Sequence, residues 1–155
     1  MNQRARIVMS DDEVTAFIRE SRKLQLGTIN PDGTPHMVTM FYGLTDDLIS
    51  FWTYRKAQKT YNLARDPRVT CLIEAGDDYA ELRGVMVYGK VRRLDAPEDV
   101  LGVGMTVAQR MTGETDPEPL RDYVEHTGRK RVAFLVEPTR VVSWDHRKLA
   151  SPPPA

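Results

Sequence analysis

Three basic side chains stand close together where a predicted strand passes into a predicted helix, in residues 53–62. Arg55 and Lys56 follow the strand directly, and Lys59 comes about one helical turn later. The first backbone N–H groups of a helix lack acceptors within the helix, and the helix dipole favours negative charge there. Arginine adds a planar fork of donors and lysine a mobile point charge, a combination suited to phosphate. The segment therefore predicts a phosphate site, and a solvent-exposed basic helix start is the alternative.

The elements that must position this segment follow from periodicity and turn residues. Ser10 and Glu13 match a capping box, which predicts a helix over about 11–20. Helical spacing predicts three further helices, over 57–65, from 95 to the glycine at 113, and over 120–127. Strands are predicted over 24–29, 35–44, 48–54, 69–74, 80–94, 130–137 and 139–144. Pro138 separates the last two strands and indicates an edge or a bulge.

Short polar turns link several of these strands, at 30–33, 46–47 and 76–78. Strands joined by tight turns run antiparallel, because a parallel pair needs a long crossover. Six or seven antiparallel strands with helices between them indicate an α+β barrel. The chain has no glycine-rich nucleotide loop, so any phosphate must be held by other means.

Bulk composition limits the possible function classes. The chain has 22 basic and 22 acidic residues, so no global field favours nucleic acid. Cys71, the single cysteine, excludes an internal disulfide, and the first residues lack the apolar core of a signal peptide, so we expect a cytoplasmic protein. Apolar runs such as 132–136 are far shorter than the roughly 20 residues that cross a bilayer, so no membrane span is expected. We expect one domain over 1–150 and a flexible proline-rich tail over 151–155.

Neither a metal site nor a protein nucleophile is expected. The three histidines have no ligand spacing, and no second cysteine is available for zinc. Cys71 lies in an apolar strand without a neighbouring histidine, so it is expected to be inert.

Three short motifs occur in a fixed order along the chain. Phe-Trp-Thr with Arg-Lys-Ala lies at 51–57, Asp-Pro-Arg-Val at 66–69, and Val-Met-Val-Tyr-Gly-Lys at 85–90. Their order and spacing resemble the pyridoxamine 5'-phosphate oxidase family over roughly residues 24–144. The resemblance implies an FMN-binding split β-barrel, a homodimer with the cofactor at the subunit interface. A small split barrel alone would also leave an apolar face uncovered.

The resemblance further implies which residues bind the cofactor. Arg55 and Lys56 would hold its phosphate, backbone groups of 38–40 would line its ring, and Trp144 would pack on it from the other subunit, unless Trp144 is simply a core residue. Thr53 alternates with two aromatic residues and is expected to face the ring. The expected cofactor-binding residues are Val38, Thr39, Met40, Thr53, Arg55, Lys56, Gln58, Lys59 and Trp144.

Two departures from the family pattern argue against oxidation of vitamin B6. Phe41 stands where the family places a lysine for the substrate phosphate, and Gly84 where it places a glutamine that serves the flavin. Residues 136–146 and the dense basic segment resemble instead a branch of short split-barrel proteins that use coenzyme F420, a deazaflavin with a phosphate-linked oligoglutamate tail. Lys59 and the basic run 129–131 would supply cations for that tail, with a solvated strand start as the alternative for the run.

This resemblance implies an F420-dependent oxidoreductase that transfers hydride to a conjugated small-molecule acceptor. In such enzymes the cofactor carries the chemistry, while the protein binds, aligns and excludes water. An FMN-dependent oxidase or reductase and a non-catalytic carrier of a flavin or tetrapyrrole remain open. The sequence identifies no catalytic residue, and the proton would come from solvent or from a tyrosine such as Tyr42 or Tyr88.

Overall fold

The computed structural model describes residues 2–150, which contain one antiparallel sheet of seven strands, curled into a half-barrel. The strands are β1 Lys23–Ile29, β2 Pro35–Phe41, β3 Gly43–Thr45, β4 Leu48–Tyr54, β5 Arg68–Ala75, β6 Arg83–Leu94 and β7 Arg131–Asp145. Their order across the sheet is β2-β1-β5-β6-β7-β4-β3. The helices in the same residues are α1 Gln3–Arg6, α2 Asp11–Glu20, α3 Gln58–Arg65, α4 Pro97–Thr112 and α5 Arg121–Gly128. The predicted α+β split β-barrel is confirmed.

Local signals place two of the helices correctly. The Ser10 hydroxyl accepts from the Glu13 N–H at 3.2 Å, and the Glu13 carboxylate accepts from the Ser10 N–H at 2.6 Å, so the predicted capping box starts α2. Helix α4 ends at Gly113, whose φ of 80° lies in the left-handed region that glycine tolerates. The predicted tail, 151–155, lies outside the described residues, so the domain boundary stays a prediction.

Two of the predicted strands have different bounds. The predicted strand over 35–44 is divided into β2 and β3, because Tyr42 turns inward, is fully buried and donates its hydroxyl to the Ile18 carbonyl at 2.5 Å. The two strands predicted over 130–144 form the single strand β7. Its register with β6 shifts between Tyr88 and Gly89, opposite Pro138, so the predicted bulge is confirmed.

Two hydrophobic clusters lie on opposite faces of the sheet. Inside the curl, β1, β5, β6, β7 and β4 bury residues such as Leu26, Val87 and Phe134. Cys71 belongs to this core, and burial raises the pKa of its thiol to about 12, which keeps it protonated near neutral pH. On the outer face, α4 and α5 cover Trp52 of β4. The sheet is therefore packed on both faces where β4 meets β7.

Arg110 of α4 joins the helices to the sheet. Its guanidinium donates to the Ile18 carbonyl at 3.0 Å, to the Arg19 carbonyl at 3.1 Å and to the Tyr42 carbonyl at 3.1 Å, and also to the Ser21 carbonyl. The same group lies 4.7 Å from the centre of the Tyr42 ring. One side chain thus satisfies the carbonyls that end α2 and the chain between β2 and β3.

We expect Arg110→Met to lower the free energy of unfolding by about 1–3 kcal/mol, because part-buried carbonyls lose their donors. Urea titration followed by circular dichroism measures the change. Arg121→Met is the matched control, since Arg121 forms only an exposed pair with Glu118, and its effect should stay below about 0.5 kcal/mol. An Arg110 variant as stable as this control would contradict the role assigned to Arg110.

Trp144 of β7 lies directly over Gly84 of β6, its partner in the register. A methyl group built on Gly84 would lie 2.2 Å from the Trp144 ring, so the indole occupies the space of the missing side chain. By contrast, a methyl group on Gly102 of α4 would meet no atom within 4 Å.

Alanine substitution at the two glycines is therefore expected to change the free energy of unfolding in opposite directions. Gly84→Ala should cost about 1–3 kcal/mol and shift the tryptophan emission to the red, because the indole must move. Gly102→Ala should add up to about 1 kcal/mol through helix propensity and leave the emission unchanged. Denaturant titration and fluorescence spectra measure both, and equal effects would show that Trp144 does not rest on Gly84.

Candidate cofactor-binding site

The candidate site begins where β4 ends and the chain turns into α3. The Ala57 N–H donates to the Tyr54 carbonyl at 3.1 Å, and the Thr60 hydroxyl donates to the same carbonyl at 2.7 Å. Ala57 is the N-cap of α3 and has no side-chain acceptor, so no side chain caps the first turn, and there the Thr60 N–H donates to the Ala57 carbonyl at 3.0 Å. The helix predicted over 57–65 is confirmed within one residue.

A buried amide holds α3 against β1. Asn62 is fully buried, and its Nδ2 donates to Thr28 Oγ1 at 3.1 Å and to Asn30 Oδ1 at 3.0 Å. Gln58, one of the expected ligands, donates to Asn62 Oδ1 at 2.9 Å and so also orients this amide. The sequence analysis missed Asn62, although asparagine inside a helix is a weak signal of a polar tether.

Six basic residues from two separate stretches of sequence meet at this turn, and we call them the basic cluster. The Arg55 N–H donates to the Lys130 carbonyl at 3.0 Å, and Arg55 Nη1 donates to the Arg129 carbonyl, also at 3.0 Å. Tyr54 pairs with Arg131 across β4 and β7. The members of the basic cluster are Arg55, Lys56, Lys59, Arg129, Lys130 and Arg131.

No member of the basic cluster forms an ion pair in the described chain. Within residues 2–150, seven other basic side chains have a carboxylate within 4.0 Å, but no member of the cluster does. Asp95 and Glu125 line a small cleft together with Arg55, but Asp95 is paired with Arg93 at 3.0 Å and Glu125 lies beyond 4.0 Å from the basic groups. Uncompensated positive charge on a chain with zero net charge is local, and it favours a bound anion.

The pKa of Lys59 is affected by this excess of positive charge. Burial lowers the pKa of its ammonium group below the ordinary value, and the charge of Arg131 lowers it further. An anion bound beside Lys59 would oppose the second cause, because an opposite charge favours the protonated form.

The run 129–131 divides into two parts. Arg129 and Lys130 are exposed, as expected of a solvated strand start, whereas Arg131 is half-buried. The Arg131 guanidinium lies 4.7 Å from the centre of the Trp52 ring and 4.3 Å from that of the Tyr54 ring. Aromatic faces attract a cation and fix the plane of the guanidinium. Arg131 is therefore a positioned charge.

The remaining expected ligands lie on the sheet. Thr53 faces the inside of the sheet with 2% of its surface exposed, so it does not share an open surface with the basic cluster. Val38 and Met40 pack against the inner core, while Thr39 points outward and donates to Gln25 Oε1 at 2.8 Å. Strand β2 pairs only with β1 in the described sheet, so backbone groups along its other edge are open to a ligand.

Within one chain, Trp144 lies away from the basic cluster. It lies near the end of β7, and Arg131 begins the same strand. The two meet only if a second copy supplies one of them, which is the arrangement that the resemblance implies.

The two tyrosines suggested as proton donors differ in access. Burial raises the pKa of Tyr42 to about 12, and its hydroxyl is already bonded to the Ile18 carbonyl, so it is not available as a donor. Tyr88 is half-buried on β6, where the Arg140 guanidinium lies 5.6 Å from its ring centre. Tyr88 remains the better placed of the two.

Two further observations concern the described residues as a whole. Among residues 2–150, no three His, Cys, Asp or Glu side chains form a group that could hold a metal ion. No helix in this part of the chain is both long and apolar enough to cross a membrane.

Known proteins share this sequence pattern and fold. Residues 10–145 match the sequence profile of pyridoxamine 5'-phosphate oxidase. A pyridoxine/pyridoxamine 5'-phosphate oxidase from Cupriavidus taiwanensis is 26% identical over 147 residues, covering 90% of this chain and 68% of that protein.

Solved structures extend the comparison. A conserved hypothetical protein from Mycobacterium tuberculosis has a TM-score of 0.89 at 42% identity, covering 100% of this chain and 96% of its own. An F420 reductase has a TM-score of 0.63 at 23% identity, covering 81% of this chain and 93% of its own, a likeness that concerns the fold alone. Because the sequence profile covers most of the chain, the protein belongs to the pyridoxamine 5'-phosphate oxidase family of split β-barrels.

Proposed function

We propose that this protein binds coenzyme F420 at the basic cluster and acts as an oxidoreductase that transfers hydride to a conjugated small-molecule acceptor. The observation that carries the proposal is the group of six basic side chains without an acidic partner in residues 2–150, beside an uncapped helix start. Membership of the family supports a flavin-type cofactor, and the local charge supports one with several negative groups.

The number of cations favours F420 over FMN. Arg55 and Lys56, together with the first N–H groups of α3, suffice to bind one phosphate group. The backbone carbonyls of exposed Arg129 and Lys130 accept hydrogen bonds from Arg55, so both residues lie beside it. Their side chains and that of half-buried Lys59 can therefore bind further anions. An oligoglutamate tail supplies such anions, whereas FMN carries a single phosphate.

When bound in its reduced form, F420 would supply the hydride from C5 of its deazaflavin ring and be left oxidised. The protein's own residues hold and orient the cofactor. Arg55 is restrained by the Arg129 carbonyl, and the open edge of β2 at Val38 to Met40 offers backbone groups to a ring. Orientation in a site that excludes water accounts for the rate enhancement, without a nucleophile from the chain.

A second copy of the chain completes the proposed site. The outer face of β1, β2, β5 and β6 carries a cleft of about 540 Å³ lined by Gly27, Met37, Thr70 and Tyr88 among others. Met37, which lines this cleft, is 57% exposed. Apolar side chains exposed on one sheet face favour burial against a partner, which would also bring Trp144 of one copy to the other.

Titration with F420 tests the proposal. Arg55→Ala and Lys56→Ala should each weaken F420 binding by about 10–100-fold, because each removes a charge-assisted contact of about 1.5–3 kcal/mol. Arg19→Ala is the control, since Arg19 is exposed and paired with Asp47 on another part of the surface, and it should bind like the wild type. Fluorescence of the deazaflavin measures binding.

Three outcomes would reject the proposal. A yellow preparation that exchanges FMN but not F420 would assign FMN instead. Binding without turnover across enones and quinones would indicate a carrier of flavin or tetrapyrrole. Unchanged F420 affinity in both variants would place the cofactor away from the basic cluster.

Sedimentation equilibrium tests the homodimer. The wild type should sediment at micromolar concentration with about twice the chain mass of 17.7 kDa. Met37→Asp should shift it toward the monomer, because a carboxylate on the outer sheet face must be desolvated in the dimer. Gly102→Asp adds the same charge to the exposed side of α4 and should leave the dimer intact. A monomeric wild type would contradict the arrangement.

A further inference from the structure

Arg131 is held differently from the rest of the basic cluster. Its plane is fixed by the rings of Trp52 and Tyr54, at 4.7 and 4.3 Å, and no carboxylate in residues 2–150 lies within 4.0 Å of it. Its Nε is buried and has no hydrogen-bond partner within the described chain. A buried donor without an acceptor is costly, so its position suggests that a bound group supplies the acceptor.

A small cleft opens beside this guanidinium, between β2, β4, α4 and α5. Its volume is about 160 Å³, close to the roughly 150 Å³ at which an apolar protein cavity accommodates a benzene ring. Arg131 contributes its only charged side chain. The lining residues are Met40, Phe41, Trp52, Val107, Ala108, Met111, Tyr123 and Arg131.

The walls of this cleft expose aromatic surface. Phe41 is 38% exposed and Tyr123 is 46% exposed, so both rings stand at the opening. Aromatic and thioether walls favour a flat apolar ring, and a single guanidinium without an ion pair in residues 2–150 favours a carboxylate on that ring. A neutral molecule of the same shape would leave the Arg131 donor unsatisfied.

We propose that the cleft at Arg131 is a binding site for small aromatic carboxylates, in which the ring lies between Phe41, Met111 and Tyr123 and the carboxylate accepts from Arg131. The site needs no cofactor and therefore goes beyond the function proposed above. Where the protein also carries a hydride donor, the same site would select acceptors that combine one ring with one negative charge.

Benzoate and benzamide form the matched pair of probes, because they share shape and differ in charge. In calorimetric titrations of the full chain without added cofactor, benzoate should bind with a Kd near or below about 1 mM and at least about tenfold more tightly than benzamide. Arg131→Gln should remove this preference by weakening benzoate about tenfold while leaving benzamide unchanged. Benzamide binding then also reports that the variant cleft is intact.

Two further variants test the proposal even if the Arg131→Gln variant does not fold. Met111→Trp should fill the cleft and abolish binding of both probes. Arg121→Gln removes an exposed cation of α5 that does not line the cleft and should bind benzoate like the wild type. Equal affinity for the two probes, no benzoate binding at 10 mM, or a loss of benzoate affinity in Arg121→Gln would each overturn the proposal. Failure of F420 to bind would leave these results unaffected.

Discussion

Strand β7 is shared between two parts of the sheet, and the rest of the molecule depends on this sharing. It pairs with β4 from Arg131 onward and with β6 as far as Asp145. At Pro138, which has no N–H to donate, the register with β6 shifts. A methyl group on Gly89 would lie 2.4 Å from the Glu137 carbonyl oxygen, so the close approach at this bulge requires glycine. Arg131 and Trp144 lie near opposite ends of this one strand.

The basic cluster follows from the β4–β7 pairing. Pairing Tyr54 with Arg131 brings the run 129–131 beside Arg55, although the two stretches are far apart in sequence. Burial, and to a smaller extent the charge of Arg131, lower the pKa of Lys59, and no carboxylate in the described chain lies within 4.0 Å to offset them. Locally destabilising features such as unpaired charges are typical of binding sites.

Features set by neighbouring residues were predictable from the sequence. The capping box at Ser10, the glycine end of α4 and the basic start of α3 all depend on backbone groups within a few residues. The break at Tyr42 was not predictable in this way, because the apolar and aromatic residues at 40–42 favour a continuous strand. It depends on α4, whose Arg110 binds the Tyr42 carbonyl and packs on its ring. The continuity of β7 through Pro138 likewise depends on the partner strand.

The residues around Thr53 show why the candidate site was only partly predictable. Alternation correctly puts Trp52 and Tyr54 on one face and Thr53 on the other. It cannot tell that α4 covers Trp52 but leaves Tyr54 52% exposed. Because α4 does not cover Tyr54, the Tyr54 ring can contact the guanidinium of Arg131 on the neighbouring strand. This contact fixes the position of the Arg131 side chain. The specificity of this surface therefore arises where a helix leaves part of a strand uncovered, a property of packing that local sequence does not encode.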